Sequence, residues 1–415
     1  MLRRIAIKGF KSLVDVELVL PRLVVLAGPN AAGKSNILDA FQMLARAGTQ
    51  RTLADALAPP IRGFPAEAFT LPPGGLPELL DRPSADFTLE ADLELPAPPG
   101  NGRLERARYR VQIDIDPDSA VLSLGDEYLT HAKIDWQPKG NARIEVVDGE
   151  LLVRKAGVGR PSHEQTGTNH TWLSDARLSG TPYPLFDLVR DELRGWRTYY
   201  LDPRTAMRAA TAPREVPDIG AQGEHLAPFL YGLKTRRPKA FAAVRRTLRS
   251  VIPAIDDLEV DLDTKRGTLD IQIQQGGTTF SSRVVSEGTL RVLALCAIAV
   301  TADAGLVAFE EPENGVQPQR LNRIAELLTQ VARRGAAQLV VTTHSPEFIA
   351  AMLEGARRGK ADIGVFSVNR DGAATGIHHL QDPGLWENQA VRALLEDPDE
   401  SERVAALVRR GWLDL

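Results

Sequence analysis

The sequence predicts an α/β protein with a mostly parallel core sheet, an antiparallel β lobe and a helical subdomain. Three observations lead there. Leu23-Val-Val-Leu-Ala is a continuous apolar run, as in a strand buried on both faces, and it enters a Gly-rich turn and then a helical pattern from Lys34 to Ala47. The last third alternates helix and strand: helix 287–302, strand Gly305–Phe309, helix 318–334, strand Gln338–Thr342, helix 346–354 and strand Ile363–Val368. Between these parts, residues 85–155 alternate apolar and polar positions with period two, the pattern of half-buried antiparallel strands.

In chain order, Arg4-Ile-Ala-Ile and Val14-Asp-Val-Glu-Leu-Val-Leu read as two strands ahead of the buried one. Residues 48–82 are rich in Pro and Gly and read as irregular. Phe87–Leu95 and Ala107–Ile115 alternate cleanly, and Asp148-Gly149 between two apolar segments is a two-residue hairpin signal. Residues 156–180 are polar and Gly-rich, a loop pattern. A helix at Leu185–Arg194 precedes a strand at Thr198–Leu201; 205–222 is loop-like; helices at 225–233 and 238–250 precede a β pair, Leu258–Leu262 and Leu269–Gln274. The expected division is a core from 1–47 and 258–415, a β-rich insertion at 48–195 and a helical, partly basic subdomain at 196–257.

Composition narrows the class. The 415 residues carry 50 Lys and Arg against 54 Asp and Glu, with 43% hydrophobic residues, as in an ordinary globular protein rather than a disordered or collagen-like chain. The longest uncharged apolar run, Val292–Ala302, is about half of what a membrane helix needs. Lys8 interrupts the N-terminus too early for a secretory leader, so a cytoplasmic protein without a membrane partner is expected. A single cysteine, Cys296, excludes an internal disulfide and a multi-cysteine metal site. It reads as a small buried hydrophobe.

Four motifs carry chemistry. Gly28-Pro29-Asn30-Ala31-Ala32-Gly33-Lys34-Ser35 fits the Walker A pattern with strand before and helix after. Its glycines let backbone N–H groups converge on phosphate oxygens, and the helix N-terminus beyond Ser35-Asn36 adds its dipole. In that setting Lys34 reaches the β and γ phosphates of ATP and Ser35 is a Mg²⁺ ligand. Leu306-Val-Ala-Phe-Glu310-Glu311-Pro is an apolar strand ending in two carboxylates. Glu310 suits the Mg²⁺ side and Glu311 suits a general base for water. Ser286-Glu287-Gly288 opens an apolar helix; by itself it also reads as a helix cap. Val340-Val-Thr-Thr-His344-Ser-Pro puts a histidine at a strand's C-terminal end, the edge where open α/β sheets bind ligands.

These four in this order resemble the ABC-type ATPases of the SMC and RecF class, built on the P-loop NTPase fold. The resemblance implies that Ser286-Glu287-Gly288 is the signature motif acting on ATP held by a second subunit, and that His344 is the switch histidine. It further implies that ATP drives homodimerisation. More closely, the chain resembles RecF-like and OLD-like bacterial ATPases of the AAA_21 or AAA_15 type. The shared pieces are Ile5-Ala-Ile-Lys-Gly-Phe-Lys-Ser-Leu, Tyr200-Leu-Asp-Pro-Arg204, Ser286–Leu295, Glu310-Glu-Pro-Glu-Asn-Gly315 and Thr343-His-Ser-Pro. The middle of the chain shares only β-rich character. Two departures stand out: Glu310 replaces the usual Walker B aspartate, and Gln317-Pro318 replaces a His-Pro pair. The stretch after His344 is too short for the Toprim nuclease domain of OLD proteins, and Asp397-Pro-Asp399 reads as solvated surface. No heptad pattern marks a coiled-coil arm.

From His225 to Ile255 there are seven basic residues and no acid. Arg236, Arg237, Lys239, Arg245, Arg246 and Arg249 are the candidates for double-stranded DNA contact, since the phosphate backbone attracts clustered cations. A solvated helix face beside the acidic run Asp256–Asp263 is the competing reading. Two roles follow for an ATP-driven dimer: control of DNA binding in repair, or regulation of a separately encoded effector in a bacterial defence or toxin–antitoxin system.

Overall fold

The computed structural model describes residues 1–96, 104–157, 159–303, 305–335, 337–359 and 361–380. Asp397-Pro-Asp399 lies outside the described residues. The chain opens with strands β1 (Leu2–Phe10), β2 (Leu13–Val19) and β3 (Leu23–Ala27), then helix α1 (Lys34–Ala47). The Pro- and Gly-rich stretch holds two short helices, α2 (Leu53–Leu57) and α3 (Gly75–Leu80). Six strands follow: β4 (Ala85–Leu95), β5 (Glu105–Ile115), β6 (Leu122–His131), β7 (Ile144–Val147), β8 (Glu150–Val153) and β9 (Ser162–Glu164). Helix α4 (Pro184–Arg194) leads to strand β10 (Arg197–Tyr199). Helices α5 (Leu226–Arg236) and α6 (Pro238–Val251) precede β11 (Asp257–Asp263), β12 (Thr268–Gln275) and β13 (Thr278–Ser281). The last part is α7 (Glu287–Thr301), β14 (Leu306–Glu310), α8 (Leu321–Arg334), β15 (Gln338–Thr343), α9 (Pro346–Arg357), β16 (Ile363–Asp371) and β17 (Ala374–His379).

Among the described residues the strands form three sheets. The core sheet has the order β10-β14-β15-β3-β16-β17, parallel except for the antiparallel edge strand β17. An antiparallel sheet has the order β2-β1-β4-β5-β6-β7-β8-β9, and a small one the order β11-β12-β13. The segment 1–47 therefore divides. β1 and β2 alternate buried and exposed residues and join the antiparallel sheet, where Ile5 faces Ala91 and Ile7 faces Leu89. β3 is buried at all five positions and goes to the centre of the parallel sheet.

The core sheet separates two hydrophobic cores, as period-two strands require. Val24, Leu26, Ala308 and Val340 face the core shared with α1, α4 and the antiparallel sheet. Leu23, Val25, Val307 and Val341 face the core shared with α5 to α9. Cys296 is fully buried there, as expected of a small hydrophobe. The helix expected from 318 begins as one 3-10 turn at Pro318–Arg320 before α8, a register change at the helix start where Pro is tolerated. No described helix is long and apolar enough to cross a membrane.

Candidate functional site

Three neighbouring parallel strands end at one edge. Thr343 of β15 lies opposite Ala27 of β3, and Glu310 of β14 lies opposite Thr342 of β15. The Gly-rich loop, the two carboxylates and the histidine leave from those ends, at the edge where open α/β sheets bind ligands.

The loop Gly28 to Ser35 turns β3 into α1. Ala31 has φ +66° and Gly33 φ +105°, backbone that lets the chain reverse onto the helix axis. A side chain at Gly33 is excluded twice: φ is left-handed, and a Cβ would lie 2.1 Å from Thr375 Oγ1. Thr375 of β17 donates to Ala32 O at 3.0 Å and shares a 2.7 Å hydroxyl bond with Ser12, to which Asn36 Nδ2 donates at 2.8 Å. The loop is thus clamped by the edge strand β17 of the core sheet and by the β1–β2 turn of the large antiparallel sheet. Lys34 folds back over it and donates to Gly28 O at 2.7 Å and Pro29 O at 2.9 Å. Burial pushes its ammonium below the ordinary value, against the pull of Glu311, Glu313 and Glu310.

Ser35 and Glu310 meet directly, hydroxyl to carboxylate. A hydroxyl and a carboxylate oxygen brought together beside the Gly-rich loop are the hard donors that Mg²⁺ prefers, so the residues present fit that ion. Glu311 sits next to them with φ +45°, a left-handed backbone rare for a residue with a Cβ. The surroundings hold it there. Its N–H donates to Thr342 O and Thr342 Oγ1, both at 3.1 Å. Asn314 Nδ2 donates to Glu311 Oε2 at 2.7 Å, and His344 Nδ1 lies 2.9 Å from Glu311 Oε1. Lys34 Nζ is 3.9 Å from the same Oε1. Lys34, Ser35, Glu310, Glu311 and His344 therefore form one connected cluster.

Motif reading missed the residues that support this cluster. Glu313 is buried; it accepts from Thr343 Oγ1 and, at 3.3 Å, from His344 N, and burial raises its carboxyl above the ordinary value. Arg62, from the irregular stretch, pairs with Asp39 of α1 at 3.0 Å and lies 3.7 Å from Glu310. Asp39 also takes Lys11 at 2.6 Å and the Tyr200 hydroxyl at 2.9 Å. Lys11 and Tyr200 fall in the shared sequence pieces; Arg62 carries no local signal.

Ser286, Glu287 and Gly288 lie at the start of α7, against the far end of the Glu311–Gly315 loop. Ser286 caps α7, accepting from Thr289 N at 3.2 Å. Glu287 pairs with Arg204 at 2.8 Å. A Cβ on Gly288 would sit 2.1 Å from Gly315 O, so the start of α7 rests on the loop that follows Glu311. Among the described residues nothing bonds them to Lys34 or Ser35.

The basic stretch is partly engaged. Arg245 pairs with Asp257 of β11 and lies 3.6 Å from Glu259; Lys234 holds Glu259 and Asp261, each at 2.8 Å; Arg236 lies 3.5 Å from Glu215. Arg237, Lys239, Arg246 and Arg249 are exposed.

The likeness to solved structures agrees with this fold. A crystal structure described as "the SmcHead bound to the C-winged helix domain of ScpA" superposes with a TM-score of 0.53 at 15% identity, covering 91% of this chain and 98% of that one. An SMC head domain from Thermotoga maritima gives 0.43 at 14% identity, covering 92% and 99%. An Smc head with an extended coiled coil, bound to the C-terminal domain of ScpA derived from Pyrococcus furiosus, gives 0.49 at 12% identity, covering 91% and 96%. Only the first is close enough to weigh, and it shows the fold: the P-loop NTPase architecture of an SMC ATPase head. No curated protein matches in sequence. The AAA_21 family model, described as "AAA domain, putative AbiEii toxin, Type IV TA system", matches residues 23–350. That span covers most of the chain, from the strand before the Gly-rich loop to the helix after His344, and the chain belongs to the AAA_21 family of P-loop ATPases.

Proposed function

We propose that the chain hydrolyses ATP to ADP and phosphate at a site shared between two copies, and that this ATP-linked homodimer regulates a separately encoded effector protein. The connected cluster of Lys34, Ser35, Glu310, Glu311 and His344 carries the reading. Lys34 exchanges the carbonyls of Gly28 and Pro29 for phosphate oxygens. Ser35 and Glu310 would hold Mg²⁺, which would supply positive charge to offset that of the phosphates. Glu311 takes the proton of the attacking water. His344 and Asn314, each on one carboxylate oxygen, fix its orientation. The left-handed backbone of Glu311 aims that carboxylate. Ser286-Glu287-Gly288, which no described bond ties to Lys34 or Ser35, contacts the ATP held by the other copy.

The effector reading is supported by the toxin–antitoxin description of the family and by the ion pairs that occupy Lys234 and Arg245. Exposed Arg237, Lys239, Arg246 and Arg249 support the second reading, in which duplex DNA controls the ATPase. The test is steady-state phosphate release with and without linear duplex DNA at low and moderate salt. Mg²⁺-dependent turnover indifferent to DNA is the expected result. Salt-sensitive stimulation would move the role to DNA, and no turnover under any condition would remove hydrolysis itself.

A further inference from the structure

Residues 197–208 form one continuous strap from the nucleotide site to the start of α7. The strap begins in β10, where Tyr199 lies opposite Phe309 of β14 with the rings stacked at 5.6 Å. Tyr200 then donates its hydroxyl to Asp39 of α1, the helix that leaves the Gly-rich loop. Asp202 turns the chain, accepting from Arg204 N at 3.0 Å and Thr205 N at 3.1 Å. Beyond that turn two arginines reach the Ser286 region. Arg204 pairs with Glu287, but in solvent, where such a pair holds little. Arg208 does more. Its Nε donates to Pro203 O at 2.7 Å, Nη1 donates to Ser282 O at 3.3 Å and to Arg283 O, and Nη2 donates to Val285 O at 2.6 Å.

One guanidinium therefore gathers three carbonyls of the link between β13 and the cap residue Ser286. The link has other ties, since Ser282 N donates to Ile271 O at 2.7 Å, Val284 N donates to Ser281 O at 3.0 Å and Val285 packs against the core. The carbonyls of Ser282, Arg283 and Val285 are nevertheless gathered by Arg208, and Arg283 and Val284 are exposed, Val284 at 71%. The planar fork of five donors suits three converging carbonyls; a lysine supplies the charge without the fork.

We propose that Arg208 is a positioning residue for the signature motif. Through the 282–285 backbone it holds Ser286–Gly288 in the pose that meets the nucleotide carried by a second copy of the chain. This rests on the shared-site reading above. Arg208 touches no reacting atom, and its effect appears in the partner's site rather than in its own.

The experiment mixes variants. Arg208→Ala should lower kcat on the order of 10- to 100-fold, as misplacement of a catalytic element does, while ATP affinity of the single chain stays within about twofold. Mixed one to one with Lys34→Ala, it should recover about a quarter of wild-type turnover, because half the dimers are mixed and each of those has one intact site. Mixed with Ser286→Arg it should recover nothing, since both chains lack a working signature. Arg208→Lys, expected to show a smaller loss with the same pairing, replaces the alanine variant if that chain does not fold. The reference mixture is Lys34→Ala with Ser286→Arg. If that pair complements while the Arg208 variant complements Ser286→Arg, or neither chain, the positioning role is overturned. If the reference pair itself fails, the shared site is wrong and the role of Arg208 falls with it.

Discussion

His344 Nδ1 lies 2.9 Å from Glu311 Oε1, and Asn314 Nδ2 holds the other oxygen of the same carboxylate at 2.7 Å. The end of β15 and the loop between β14 and α8 thus converge on one acid whose backbone is itself strained. A residue in left-handed backbone is kept when its surroundings over-determine it. Here Thr342 does so by accepting the Glu311 N–H through both its carbonyl and its hydroxyl.

Removing the histidine isolates its role. His344→Ala should lower kcat by about 10²- to 10⁴-fold, the usual contribution of groups that govern proton transfer. ATP affinity should hardly change, because His344 touches Glu311 and not the Gly-rich loop. Phosphate release and a fluorescent-nucleotide titration separate the two quantities. A large loss of affinity with kcat preserved would place the histidine in binding.

Lys34 should behave in the opposite way. It is buried, and its ammonium donates to Gly28 O and Pro29 O, carbonyls that in the proposed reading it exchanges for phosphate oxygens. Lys34→Ala should weaken ATP binding by more than about tenfold, the loss of one or more charge-assisted hydrogen bonds. Equal affinity in isothermal titration would mean that the loop does not hold the phosphates.

Gly288 tests the packing of α7. A methyl group there would meet Gly315 O at 2.1 Å, and backbone on both sides leaves no flexible side chain to yield. Gly288→Ala should therefore move the helix start, abolish most turnover and leave ATP binding by the single chain intact. Turnover near wild type would show that the Gly288–Gly315 contact has no part in the active state.

The lobe carries a pH-dependent element. Glu127 is fully buried in β6 and accepts from Trp172 N, Leu173 N and Tyr109 OH; burial raises its carboxyl from 4.5 to about 7. The unfolded chain releases this proton near pH 4.5 and the folded chain near 7, so its contribution is complete below pH 4.5 and is lost as pH rises through 7. The size is about 3 kcal/mol by linkage. In urea unfolding, the stability of Glu127→Gln relative to wild type should therefore improve between pH 5 and pH 8. A difference independent of pH would show that Glu127 is ionised throughout.

Contiguous motifs were legible because their chemistry needs a fixed spacing on one turn or strand end. Gly28–Ser35, Glu310-Glu311 and His344 all land at one sheet edge, since each follows an apolar run long enough to be a buried strand. Sheet membership was less legible. The alternation in β1 and β2 reports which face is buried, but pairing with β4 is a contact across some 80 residues that no local pattern encodes. The same holds for ion pairs: the basic face of α6 looks free in sequence, yet β11 returns Asp257 to Arg245. Arg208 lies in a stretch whose composition says only loop, and its four carbonyl partners are visible only once the strap and the β13–α7 link are folded together.

The central claim is a nucleotide site completed by a second copy, and Glu311→Gln tests it most directly. This variant keeps the Gly-rich loop and removes the proposed base, so ATP should remain bound and hold two chains together. Light scattering on a sizing column, with ATP and Mg²⁺, should give twice the 45.2 kDa chain mass, and with ADP the single chain. A 45.2 kDa species that carries bound, unhydrolysed ATP would contradict it.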